Sequence, residues 1–218
     1  LRADLRHVVA TYTPDFAVIS GDLTDLGTED QLRRCRAILE DSGLTFFPMF
    51  GGHDGFQERK SSERGTTCTR TYEGCFGPAY YSFGRGGRHF VLFPNEDRYF
   101  SATDVERKRT WLRADLKIQP PGRSTVLFVH ATPPQTFVEE LADLGVEMLL
   151  FGHRHSNKWY ESSGVQVGCC PALCFGGTDY SARGYRIVDF GSKTATTRLA
   201  SISSVPSRST HCVAGSTR

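Results

Sequence analysis

Aspartate and histidine recur in this chain at the ends of short apolar runs. Asp22 follows the run closing at Ser20, His53 and Asp54 follow Phe50, His130 follows Val129, and His153 and His155 follow Phe151. Carboxylate and neutral imidazole are ligands that suit zinc, iron and manganese, and imidazole is also the side chain best suited to exchanging protons near neutral pH. Each cluster taken alone has an ordinary reading. Gly21-Asp22-Leu23-Thr24-Asp25 reads as an Asx-type turn, and Gly152-His153-Arg154-His155 as a loop whose polar groups are satisfied locally. Taken together they point to a site for a divalent metal. The glycines at 21, 51, 52 and 152 would let the backbone turn sharply and approach a bound ion or phosphate.

An α/β arrangement would bring these residues, far apart in sequence, to one place. Leu1 to about Thr13 carries apolar residues at helical spacing and is stopped by Pro14, and Phe16 to Ser20 is a run suited to a strand buried on both faces. Thr28 with Gln31 has capping-box spacing and opens a helix to about Asp41, after which Phe46 to Phe50 reads as the next strand. Tyr80 to Phe83 and His89 to Phe93 flank a glycine-rich turn and form a hairpin. Thr103 with Glu106 is a second capping box, and a further helix from about Pro134 to Leu144 lies between strands at 125–129 and 148–151. The carboxyl ends of parallel strands line one crevice, where ligands bind. Residues 55–79, with little periodicity, are expected to form a surface loop over that crevice. Segments 158–162, 165–168, 184–190 and 194–199 are expected to form a second, antiparallel sheet. One domain is expected over residues 1–200, with 201–218 a disordered tail.

Composition excludes several other classes. Twenty-six Lys and Arg against 24 Asp and Glu leave a net charge of +2, without the dense positive field that nucleic-acid binding through phosphates needs. The apolar runs are of strand length, so no membrane span is expected. Seven cysteines, an odd number that includes the adjacent Cys169 and Cys170, favour free thiols and lean towards the cytoplasm. Cys68 and Cys75 are the pair to test for a bridge. Cys35 within a helix and His89 within a strand are expected to be packed residues.

The ordered blocks Gly21-Asp22-Leu23-Thr24-Asp25, Gly52-His53-Asp54, His130 with Pro133 and Pro134 nearby, and Gly152-His153-Arg154-His155 resemble the calcineurin-like metallophosphoesterase family over roughly residues 1–200. The resemblance implies a four-layer αββα sandwich of two mixed sheets with two divalent metal ions, Mn, Fe, Zn or similar, at the sheet ends. It implies that Asp22 bridges the ions, that His130 and His153 serve one of them, and that His155 serves the other. His53 then lies beside the leaving group of a phosphate mono- or diester as general acid, with Asp54 steadying it, while a metal-activated water attacks phosphorus. Asp25 is expected behind the ligands as an orienting group.

Two departures qualify this. The family's opening Asp-x-His block is absent. Asp4 and His7 have the wrong spacing and lie in a helical pattern, so the first strand is expected upstream of Leu1. Gly52 stands where the family has a ligand asparagine. The chain is therefore expected to hold at most one ion firmly, through Asp22, His130 and His153, with weak activity. The alternative is a non-catalytic protein-interaction scaffold on the same fold, with an eroded metal site.

Overall fold

The strands β5 (Thr125–Val129) and β6 (Val146–Phe151) are almost wholly apolar, so both of their faces must be covered, and this dictates the layering. In a computed structural model, which describes residues 1–177, 179–191 and 195–201, they form the centre of a six-stranded sheet. Its order is β3 (Tyr81–Arg85), β4 (Arg88–Leu92), β5, β6, β8 (Val165–Cys169) and β7 (Lys158–Ser162). From β4 to β8 neighbouring strands run parallel, and antiparallel β3 and β7 close the two edges.

One face of this sheet places Val91, Leu127, Val129, Leu149 and Val167 against Leu112 and Leu116 of α5 (Ala102–Lys117) and Val138 and Leu141 of α6 (Gln135–Asp143). The opposite face presents Phe90, Leu92, Val126, Phe128, Met148 and Leu150. These meet Val18 of β1 (Ala17–Ile19), Phe47 of β2 (Phe46–Pro48) and Val188 of β9 (Gly184–Asp189). β1 and β2 pair in parallel, and β9 pairs antiparallel with β10 (Thr196–Ser201). Outside them, Ala17, Ile19 and Phe46 turn to Leu5 and Val9 of α1 (Arg2–Tyr12) and to Cys35 and Leu39 of α2 (Glu29–Glu40). The layers run α, β, β, α, the expected sandwich, with the second β layer built of two separately bonded pairs among the described residues.

Several local expectations change. The four strands after Ser156 do not make one antiparallel sheet: β7 and β8 extend the large sheet, and only β9 and β10 form a separate pair. Val165 and Val167 are fully buried in the helix-covered core, which draws β8 alongside β6. Residues 55–79 are not simply a surface loop. They contain α3 (Phe56–Ser61) and α4 (Arg70–Phe76), and they bury Cys68, Tyr72, Cys75 and Ala79 against Leu32 and Phe50. Helices of six and seven residues are too short to register as periodicity. Both Cys68 and Cys75 are free thiols. The Thr28 hydroxyl accepts from the Gln31 amide as its cap, but α5 is capped by Ser101, accepting from Asp104 N at 3.1 Å, ahead of the expected Thr103 box. Gly86 and Gly87, both at positive φ, make the tight turn between β3 and β4. The expected tail beyond Ser201 lies outside the described residues. No helix among those described is long and apolar enough to cross a membrane.

Candidate metal centre

The loop after β1, the loop after β5 and the loop after β6 each leave the carboxyl end of a strand. They bring one donor atom each from Asp22, His130 and His153 to within 4.8 Å of one another. His130 Nε2 is the hub, 3.0 Å from Asp22 Oδ2 and 3.3 Å from His153 Nδ1. The other ring nitrogen, Nδ1, donates to the Ser20 carbonyl at 2.7 Å. A carbonyl only accepts, so this bond fixes the tautomer and leaves Nε2 facing the cluster, the usual arrangement behind a metal-ligating imidazole.

Backbone shape sustains the approach. Asp22 and His153 sit at φ 54 and 61, a left-handed conformation to which Asp and His are better suited than most side chains, and His155 shares it at φ 54. A Cβ on Gly51 would stand 2.2 Å from Asp22 N and 2.6 Å from its Oδ1, and one on Gly21 would stand 2.5 Å from His130 Nδ1. Only glycine lets these loops close on the cluster.

The charges of the three groups act on one another. Burial works to raise the Asp22 carboxyl, but the hydrogen bond and charge of His130 and the His53 amide outweigh it and hold the group below its ordinary range. Burial likewise works to depress His130, and Asp22, the Ser20 carbonyl and Glu96 reverse that and raise it. Burial first and the His130 charge second lower His153, favouring the neutral ring that a metal requires. Two imidazoles and a carboxylate so arranged fit a divalent ion with ligand distances of about 2.0–2.2 Å.

The remaining expected residues surround this group. The His53 amide donates to Asp22 Oδ1 at 2.9 Å, and its exposed ring uses Nδ1 to donate to the Asp25 carbonyl at 2.6 Å. Asp25 thus meets His53 mainly through its backbone, its exposed carboxylate lying 3.7 Å from the ring nitrogen. Asp54 is completely enclosed. Its carboxylate accepts from Thr24 N, Thr24 Oγ1 and Gly51 N, each at 3.0 Å, so it ties the loop after β1 to the loop after β2. His155 is half-buried, stacked on Phe175 at 6.1 Å, and stands outside the three-residue group. Asp4 and His7 lie in α1, where His7 bonds to Thr11 at 3.3 Å.

Sequence reasoning passed over the segment after β4. Asn95 clamps it to the loop after β5, donating to the Ala131 carbonyl and accepting from the Ala131 amide, both at 2.8 Å. The next residue, Glu96, is 7% exposed and lies 3.8 Å from His130 Nε2. The signal was the same as for the other loops, polar residues directly after a strand, but without a familiar block.

This chain belongs to the calcineurin-like phosphoesterase family, whose model matches residues 1–157. A probable cyclic nucleotide phosphodiesterase of Rhodococcus erythropolis (strain PR4 / NBRC 100887) is 25% identical over 197 residues, covering 80% of this chain and 63% of that protein. The chain therefore spans less than two-thirds of that relative. Among solved structures, GAP50, the anchor in the inner membrane complex of Plasmodium, matches with a TM-score of 0.62 over 92% of this chain and 78% of its own, at 11% identity, a likeness of fold.

Proposed function

We propose that this protein is a metal-dependent hydrolase of phosphate mono- or diesters. The observation that carries the reading is the convergence of Asp22, His130 and His153 donor atoms within 4.8 Å. A divalent ion held there would supply Lewis-acid neutralisation of the phosphate and acidify the attacking water. The chain's own groups do the rest. Ser20 orients His130, and the His53 amide orients Asp22. Donation of Nδ1–H to the Asp25 carbonyl leaves the His53 Nε2 position for the substrate. As an imidazolium, His53 passes a proton from Nε2 to the departing alkoxide, a step worth about 10²–10⁴-fold. Asp54 acts by holding the two loops that carry Asp22 and His53. His155 is proposed to serve a second ion.

Turnover of 4-nitrophenyl phosphate, bis(4-nitrophenyl) phosphate and a cyclic nucleotide in Mn²⁺ tests this. The diesters are included because of the activity named for the Rhodococcus relative. The proposal expects hydrolysis that is abolished by chelator and by His130→Ala, and, for the cyclic nucleotide with its alkoxide leaving group, reduced about 10²–10⁴-fold by His53→Ala, with the 4-nitrophenyl esters much less affected. An absence of both hydrolysis and metal uptake would favour the interaction scaffold.

A further inference from the structure

Glu96 occupies the space left by the missing side chain at position 52. A Cβ built on Gly52 would lie 2.7 Å from Glu96 Oε2 and 2.9 Å from Oε1. The carboxylate is 6% exposed, and its two oxygens have different surroundings. Oε1 accepts from Arg98 at 2.6 Å, whereas Oε2 is buried with no hydrogen-bond partner. An enclosed carboxylate oxygen without a donor is costly unless a cation or proton compensates it. Oε2 lies 3.8 Å from His130 Nε2, the atom that also meets Asp22 and His153.

From this geometry we infer that Glu96, which stands outside the three-donor group with Oε2 turned to His130, joins the metal held by Asp22, His130 and His153 as a further ligand through Oε2, in place of a side chain at 52. The inference rests on the metal reading above. Arg98 holds the second oxygen, as partners behind a ligating carboxylate do. Asn95 and Lys108 fix the segment: Asn95 is clamped to Ala131 on one side, and Lys108 Nζ donates to the Pro94 carbonyl at 2.5 Å on the other. Glycine at 52 is then a requirement, since any side chain there would displace the carboxylate. The resulting set of two carboxylates and two imidazoles is harder than one of imidazoles alone and favours manganese or iron.

The test is Mn²⁺ titration calorimetry on the wild-type chain and on Glu96→Gln and Glu96→Asp, with the visible spectrum of the Co²⁺ forms and unfolding midpoints in chelator. A ligand role predicts binding at least tenfold weaker in Glu96→Gln, an altered Co²⁺ ligand-field band, partial recovery in Glu96→Asp, and a chelator midpoint unchanged or raised. Equal affinity and identical spectra in wild type and Glu96→Gln would overturn the Glu96 assignment while leaving the metal site standing. Weaker binding with a lowered midpoint in chelator would also overturn it, showing a packing role. Wild-type protein that takes up neither ion would remove the metal reading and this inference with it.

Discussion

Replacing Lys108 with methionine removes the charge that anchors the Glu96 segment while keeping most of the stem volume. Lys108 is fully buried in α5, donates to the Pro94 carbonyl, pairs with Asp97 Oδ1 at 2.7 Å, and lies 4.2 and 4.9 Å from the ring centres of Phe100 and Phe93. Burial pushes its pKa down, with Asp97 opposing. The charged hydrogen bond to Pro94 contributes about 1.5–3 kcal/mol. The Asp97 pair contributes below about 1 kcal/mol, because Asp97 is 38% exposed and keeps Arg109 at 2.6 Å. The two rings add about 1 kcal/mol. Against these stands the desolvation of the ammonium, which the variant no longer bears. Those terms largely cancel, and what remains is the Pro94 carbonyl left enclosed without its donor, a destabilisation of about 1–3 kcal/mol that in a chain of this size lowers the thermal midpoint by about 2–12 °C. Circular dichroism melts in chelator, paired with urea unfolding, read this directly. A midpoint equal to or above that of the wild type would refute the reasoning, since the ammonium would then contribute less than its burial costs.

Other expectations follow from the loops. Burial first, then the Asp22 charge, push the Asp54 carboxyl up from its ordinary 3.8 to about 7, against the hydrogen bonds it accepts. The folded state therefore favours the acid form. Stability from this group is full below about pH 4 and is lost as pH rises through 7, by about 4 kcal/mol. In chelator, Asp54→Asn should add a fixed cost of about 1–3 kcal/mol from an amide facing a backbone donor. The stability gap between wild type and variant should also shrink as pH rises from 4 to 7, and parallel curves would show that Asp54 does not titrate there. Gly51→Ala forces a methyl onto Asp22. It should destabilise by about 1–3 kcal/mol and weaken Mn²⁺ uptake, whereas uptake at wild-type affinity would mean that the loop has room to spare.

The strand ends were legible in the sequence because a buried strand must be apolar and its exit loop need not be. That contrast marks Asp22, His130 and His153, whose donor atoms the fold brings within 4.8 Å of one another. The sandwich was legible for the same reason, since β5 and β6 carry no polar face to leave uncovered. Pairing was less so: β8 joins the large sheet through valines whose partners lie on α6 and β6, and no local pattern names them. The packed character of residues 55–79 escaped because short helices bury single residues, such as Tyr72 and Cys75, without a repeating stripe. Glu96 was invisible for a different reason. Its place depends on space left by Gly52 in another loop, a relation that exists only after folding. Asp54 shows the converse: its position after His53 was plain, but its bonds to Thr24 and Gly51 required both loops in place.

The most direct measurement is anomalous X-ray scattering from crystals of the protein grown with Mn²⁺. The account predicts a manganese peak bounded by Asp22 Oδ2, His130 Nε2 and His153 Nδ1, at ligand distances of roughly 2.0–2.3 Å. Manganese bound only elsewhere, with these three side chains still bonded to one another, would contradict it.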